Sequence, residues 1–130
     1  MWPKENIPNE SSVFMRVFRT FITQGNVLPN AFRDQGGGMS VDWDKYATPA
    51  QTRDRARRPE NNAVVSLLVG AVRDVDGLAV EHEPVQENSC DERGNPLRPN
   101  RAHCEVIGEK TTERRVKLSR LWRWEVPLEE

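Results

Sequence analysis

A chain of 130 residues has the length of one domain. At this size roughly two thirds of the extended-chain surface is buried on folding, so neither a metal nor a disulfide is needed to hold a core. Hydrophobic residues make up 36% and charged residues 30%, and the apolar ones come in runs, which excludes a wholly disordered chain. Nineteen basic against twenty acidic side chains leave a net charge of −1. That excludes a whole-domain electrostatic pull on nucleic acid or on an anionic membrane, so any such contact needs a local basic patch.

Residues 1–11 read as a mobile leader, anchored at most by Trp2. They carry no apolar core of a signal peptide. The longest nearly apolar run, 63–72, is about half of the ~20 residues that a spanning helix needs. With no secretory signal, Cys90 and Cys104 are expected as reduced thiols, in a soluble cytoplasmic protein without a membrane partner.

The stretch "SSVFMRVFRTFI" at 11–22 carries two periods. Its density of Val and Phe predicts a strand through about residue 18, then a turn of helix. "QGNVLPN" reads as a loop, "DQGGG" breaks the chain, and "MSVDW" at 39–43 is a short strand. Thr48 followed by Pro49 marks a helix start. The helix is expected to run through "PAQTRDRARR" to just before Pro59, polar and on the surface. "AVVSLLVGAV" at 63–72 reads as a buried central strand and "DVDG" at 74–77 as a turn. "LAVEHEP" is then a second strand, antiparallel to the first because the connection is short.

Residues 86–100 form a long polar loop. "AHCEVIG" is another strand, and "TTERRVKLSRLWRWEV" reads as a helix to about 121 with an extended "WRWEV" tail. The sum is an α+β protein: a small, mostly antiparallel sheet of about five strands with two helices, as one globular domain over 12–130.

His82 and His103 are the two histidines of the chain. Alternation along a strand puts Leu78, Val80 and His82 on one face. On the later strand Ala102, Cys104 and Val106 share a face, and His103 and Glu105 share the other. If the small apolar set is buried, His82 points inward beside Cys104 and His103 points outward. A two-histidine acid–base pair acting on one substrate is then not expected. Either histidine alone remains a candidate catalytic base, with Glu105 or Glu83 as partner. Zinc wants four ligands in paired short spacings. His82, Cys90, His103 and Cys104 lack them, and adjacent His103 and Cys104 project to opposite sides, so neither a metal nor another cofactor is expected.

"DQGGGMS" shares with phosphate-cradling loops only its glycines; it lacks their lysine and opens a strand. Arg53, Arg55, Arg57 and Arg58 crowd the polar helix, and Arg114 and Arg115 belong to a second basic cluster near the C-terminus. If both clusters face the same way they form one basic stripe suited to phosphates. Trp122 and Trp124, two apart, present both indoles to one side, able to close a core, anchor a partner or stack bases.

The reading that follows is a non-enzymatic binding or accessory module. It would contact another protein or a nucleic-acid backbone through the arginine clusters, with Trp122 and Trp124 beside them. The alternative is a small enzyme using His82 or His103 on a phosphoester or nucleotide. A third reading comes from a likeness. An arginine on the first strand (Arg16 or Arg19) followed by Ser40 on a later strand is loosely similar to the arrangement in ADP-ribosyltransferases. There an arginine, a serine-bearing strand and a later glutamate bind and activate NAD. The likeness covers two residue types and assigns no glutamate; it implies an NAD-using transferase.

Overall fold

The central strand is the first long one in the chain. In the computed structural model, which describes residues 1–35 and 38–128, β1 (Ser12–Phe18) buries Val13, Met15 and Val17 on one side and turns Phe14, Arg16 and Phe18 to the other. It pairs antiparallel with β4 (Met39–Trp43) on one flank and β5 (Asn62–Leu68) on the other. β7 (His103–Ile107) adds to β4, and β6 (Ala79–His82) adds to β7. β8 (Arg123–Val126) lines the far side of β5. The order is β6-β7-β4-β1-β5-β8, with every neighbouring pair antiparallel.

The α+β class and the antiparallel sheet are those the sequence predicts, but among the described residues the sheet has six strands rather than about five and there are three α-helices rather than two. A separate hairpin of β2 (Ile22–Thr23) and β3 (Asn26–Val27) stands where a plain loop was expected. Its two turn residues, Gln24 and Gly25, have φ of 52° and 76°, as a tight hairpin turn demands. Gly36 and Gly37, the first two of the glycine run, lie outside the described residues.

The core lies on one face of the sheet. Met15, Met39, Val41, Trp43, Leu67, Val80, Cys104 and Val106 pack there with Val69 and Val72 of α2 (Val69–Arg73) and Leu118 of α3 (Thr112–Leu118). α2 corrects the reading of 63–72 as one strand: β5 ends at Leu68 and the next residue begins a helix. A continuous apolar run does not reveal its period; here Val69 and Val72, three residues apart, are both fully buried. Gly70 allows this turn to press on the N-terminal segment. Its N–H donates to the Asn9 carbonyl at 2.9 Å, and an added Cβ would meet Asn9 at 3.1 Å.

The same helix overturns the expected pairing of the two strands. α2 carries the chain past β1, β4 and β7, so β6 joins β7 rather than β5. The alternation of directions across the sheet makes β5 and β6 parallel, and a parallel pair requires a crossover, which the helix supplies.

α1 (Pro49–Asp54) starts where predicted, with a complete capping box. Thr48 Oγ1 accepts from Gln51 N–H at 3.1 Å, and Gln51 Oε1 accepts from Thr48 N–H at 2.9 Å. It is shorter than predicted, ending at Asp54. Pro59 disfavours helical geometry in Arg58, which lies outside the helical region at φ −131° and ψ 85°. Thr48→Ala is expected to lower stability by about 1 kcal/mol in urea unfolding; a change within a few tenths would mean that the box contributes nothing.

The segment 86–100, expected as a loop, is an irregular hairpin arm. Val85 bridges Asn100, and Cys90 bridges Pro96. At its tip the Asp91 carboxylate accepts from the N–H groups of Arg93 and Asn95, both at 2.9 Å. The N-terminal segment is held by more than Trp2. Trp2 exchanges two hydrogen bonds with Gln86, Glu5 N–H bonds His82, and Ile7 is buried. Among the described residues no helix is long and apolar enough to cross a membrane.

Candidate functional site

Strand alternation separates the two imidazoles as expected. His82 is paired in register with Cys104 on the core face and is 2% exposed. Its Nδ1 accepts from Glu5 N–H at 3.0 Å, so its Nε2 carries the hydrogen that the Arg101 carbonyl accepts at 2.6 Å. Both ring nitrogens are thus committed, and the Trp43 ring meets the imidazole edge-on at 5.2 Å. Cys104 beside it is buried, and burial, with the Asp42 charge adding to it, pushes its thiol up to about 12. A thiol at that value is not a nucleophile.

His103 lies on the opposite face, half-buried. A carbonyl can only accept, so the 2.7 Å contact from Nδ1 to the Glu83 carbonyl fixes the hydrogen on Nδ1. Nε2 faces Ser40 Oγ at 3.3 Å, and in the neutral ring it is an acceptor.

That face of the sheet has walls. Asp42, 4% exposed, accepts from Thr52 Oγ1 of α1 at 2.7 Å and from Asn100 Nδ2 at the base of the arm at 2.8 Å. One carboxylate thus fastens the helix and the arm to β4. Between them is a cavity of about 180 Å³, lined by Arg16, Ser40, Arg55, Arg98 and His103. An adjoining cavity of about 240 Å³ shares Arg16, Ser40 and Arg55 and continues to Phe18, Phe21, Arg33 and Arg57. The two make one cleft with a polar end at His103 and an aromatic end at Phe18 and Phe21. Phe18 is 41% exposed, and the Arg33 guanidinium lies 4.8 Å from the Phe21 ring centre.

The cleft is rich in unpaired positive charge. Arg16 Nη1 donates to the Thr52 carbonyl at 3.0 Å and Arg55 Nη2 to the Pro99 carbonyl at 2.5 Å. Each contact engages one of the five N–H groups that a guanidinium carries. None of the five arginines forms an ion pair among the described residues. Asp42 is the one acid among the residues that line the two cavities, against five arginines. Burial draws the Arg55 guanidinium below its ordinary range; Asp42 opposes this, and the like charges of Arg98 and Arg16 add to it. It still stays protonated at neutral pH.

The predicted site residues are divided by this geometry. Arg55 and Arg57 line the cleft. Arg53 is spent on the chain itself, its Nε donating to the carbonyls of Pro59 and Asn62. Arg58 is exposed and outside the lining. Arg114 and Arg115 sit on α3, whose Leu118 enters the core on the other face, and both bond local acceptors, Glu109 O for one and Lys110 O and Asn30 Oδ1 for the other. α1, tied by Thr52 to Asp42, lies on the opposite side. The two basic clusters therefore do not join into one stripe. Trp122 and Trp124 meet edge-to-face at 4.8 Å and pack against the core cluster.

Arg33 and Arg98 were not singled out by sequence. Arg16 and Ser40 were, but only through the NAD-enzyme likeness. Arg19 is held by Asn61 and Glu60, which leaves Arg16 as the strand arginine in the cleft. The signal for it was there: a charged residue at a period-2 position of a central strand must face something other than solvent alone. Comparison with protein families, curated proteins and solved structures gives no match. What fold and site define together is an antiparallel α+β domain with an arginine-walled cleft on its second sheet face.

Proposed function

We propose that the protein binds the phosphate of a nucleotide in this cleft. The observation that supports the reading is the convergence of Arg16, Arg33, Arg55, Arg57 and Arg98 on one concavity in a chain of net charge −1. Guanidinium groups match phosphate oxygens in planar, two-toothed pairs. Like charges gathered in a partly buried cleft are relieved by an anion. The aromatic end, with Phe18 and Phe21 beside Arg33, offers a stacking surface for a base. The phosphate belongs either to a free nucleotide or to the end of a nucleic-acid strand, the version of the backbone-binding reading that the cleft favours over a flat protein interface.

Titration calorimetry with AMP and with a 5′-phosphorylated octanucleotide separates the two sources. Arg98 has no hydrogen-bonded partner among the described residues, so Arg98→Glu tests charge with little risk to the fold. It is expected to weaken binding at least tenfold, while Arg58→Glu leaves it unchanged. Affinity should also fall as salt rises. Absence of binding by both ligands at millimolar concentration, or equal binding by the Arg98 and Arg58 variants, would sink the proposal.

A further inference from the structure

A binding cleft needs charge and shape; it does not need a hydroxyl held against a bare imidazole nitrogen. This one has both. Ser40 belongs to both cavities of the cleft, and its Oγ lies 3.3 Å from His103 Nε2. In the neutral ring, with Nδ1–H given to the Glu83 carbonyl at 2.7 Å, the hydrogen between these two atoms is the serine's own. So the hydroxyl donates and the imidazole accepts, which is the relation of a nucleophile to its base. The carbonyl holds the tautomer, as an orienting group does in serine hydrolases. His82, with both nitrogens committed, has no such freedom. Arg16 of β1 lines both cavities together with Ser40 of β4, and it is placed to meet charge developing on phosphate oxygens.

We infer that Ser40 and His103 cleave a nucleotide phosphodiester. This rests on the nucleotide-binding reading and adds a reaction to it. Ser40 Oγ attacks phosphorus, and a new Oγ–P bond forms as the bond from phosphorus to the leaving oxygen breaks. The serine proton passes to His103 Nε2 and from there to the leaving oxygen. Water then attacks the nucleotidyl-serine, giving one proton to His103. The Oγ–P bond breaks, and that proton returns to Ser40. Water is the sole co-reactant, and no oxidation state changes.

The test uses the full chain with thymidine 5′-monophosphate p-nitrophenyl ester, reading p-nitrophenolate release and, on quenched samples, intact mass. Wild type should release p-nitrophenolate and carry a nucleotidyl adduct at Ser40. Ser40→Ala and His103→Ala should each lose release at least 100-fold. Both should stay folded by circular dichroism and still bind AMP, and the loss of release should persist at saturating ester, which sets a reactive role apart from a structural one. If wild type binds AMP yet releases nothing, the cleavage inference fails and the binding reading stands. If release survives in either variant, the assigned pair is wrong. If AMP does not bind at all, the binding reading has failed first.

Discussion

His82→Ala is expected to lower the free energy of unfolding by about 3 kcal/mol while leaving ligand binding in the remaining folded protein unchanged. Two backbone groups depend on this ring: the Glu5 N–H and the Arg101 carbonyl. Leaving a buried polar group without a partner costs about 1–3 kcal/mol. Truncation also empties space beside Trp43 and Cys104, and large-to-small changes in a core cost about 2–5 kcal/mol. The estimate is a discounted sum, because the N-terminal segment can rehydrate once its anchor is lost. Chemical denaturation with fluorescence detection measures it. A loss below about 1 kcal/mol, or a folded variant that no longer binds AMP, would show that the ring is not the structural clamp described here.

Asp42→Ala is the second large effect, with an expected loss of about 3 kcal/mol, since hydrogen bonds to charged groups contribute about 1.5–3 kcal/mol each. The carboxylate accepts from Thr52 and Asn100, residues on two different walls of the cleft. Its removal should therefore do more than destabilise. Amide hydrogen exchange should quicken in α1 and in the arm near residues 85 and 100 while the β1–β5 pairing stays protected. Asp42→Asn keeps the shape and part of the bonding, so it should lose less. Uniform acceleration across the whole domain would mean that Asp42 supports global stability without any special hold on the two walls.

Much of the frame was legible because strands announce themselves by alternation. The separation of His82 from His103 followed from which neighbours were small and apolar, and Cys104 beside His82 followed from the same rule. Thr48–Pro49 gave the start of α1 because capping is local chemistry. Where the period was hidden, the reading failed: Val69–Arg73 sits in an unbroken apolar run, and nothing local tells its helix from the preceding strand. That one element also decided where β6 goes.

The cleft was hardest to read for a related reason. Ser40 and His103 are 63 residues apart, and Arg55 meets the arm across 44 residues. Such meetings are set by strand order, which periodicity does not encode. The arginine-rich helix was visible as composition, but which of its arginines turn toward the sheet depends on Thr52 docking on Asp42.

The strand order has a consequence for biosynthesis. The three adjacent strands β4, β1 and β5 all lie within the first 68 residues, so the middle of the sheet can assemble while the ribosome is still making the rest. Arg16, Arg33, Arg55 and Ser40 are then already in the nascent chain, and the imidazole joins them only when β7 docks against β4. A partly made chain can hold the cationic half of the cleft, but Ser40 meets the imidazole only once β7 has been made.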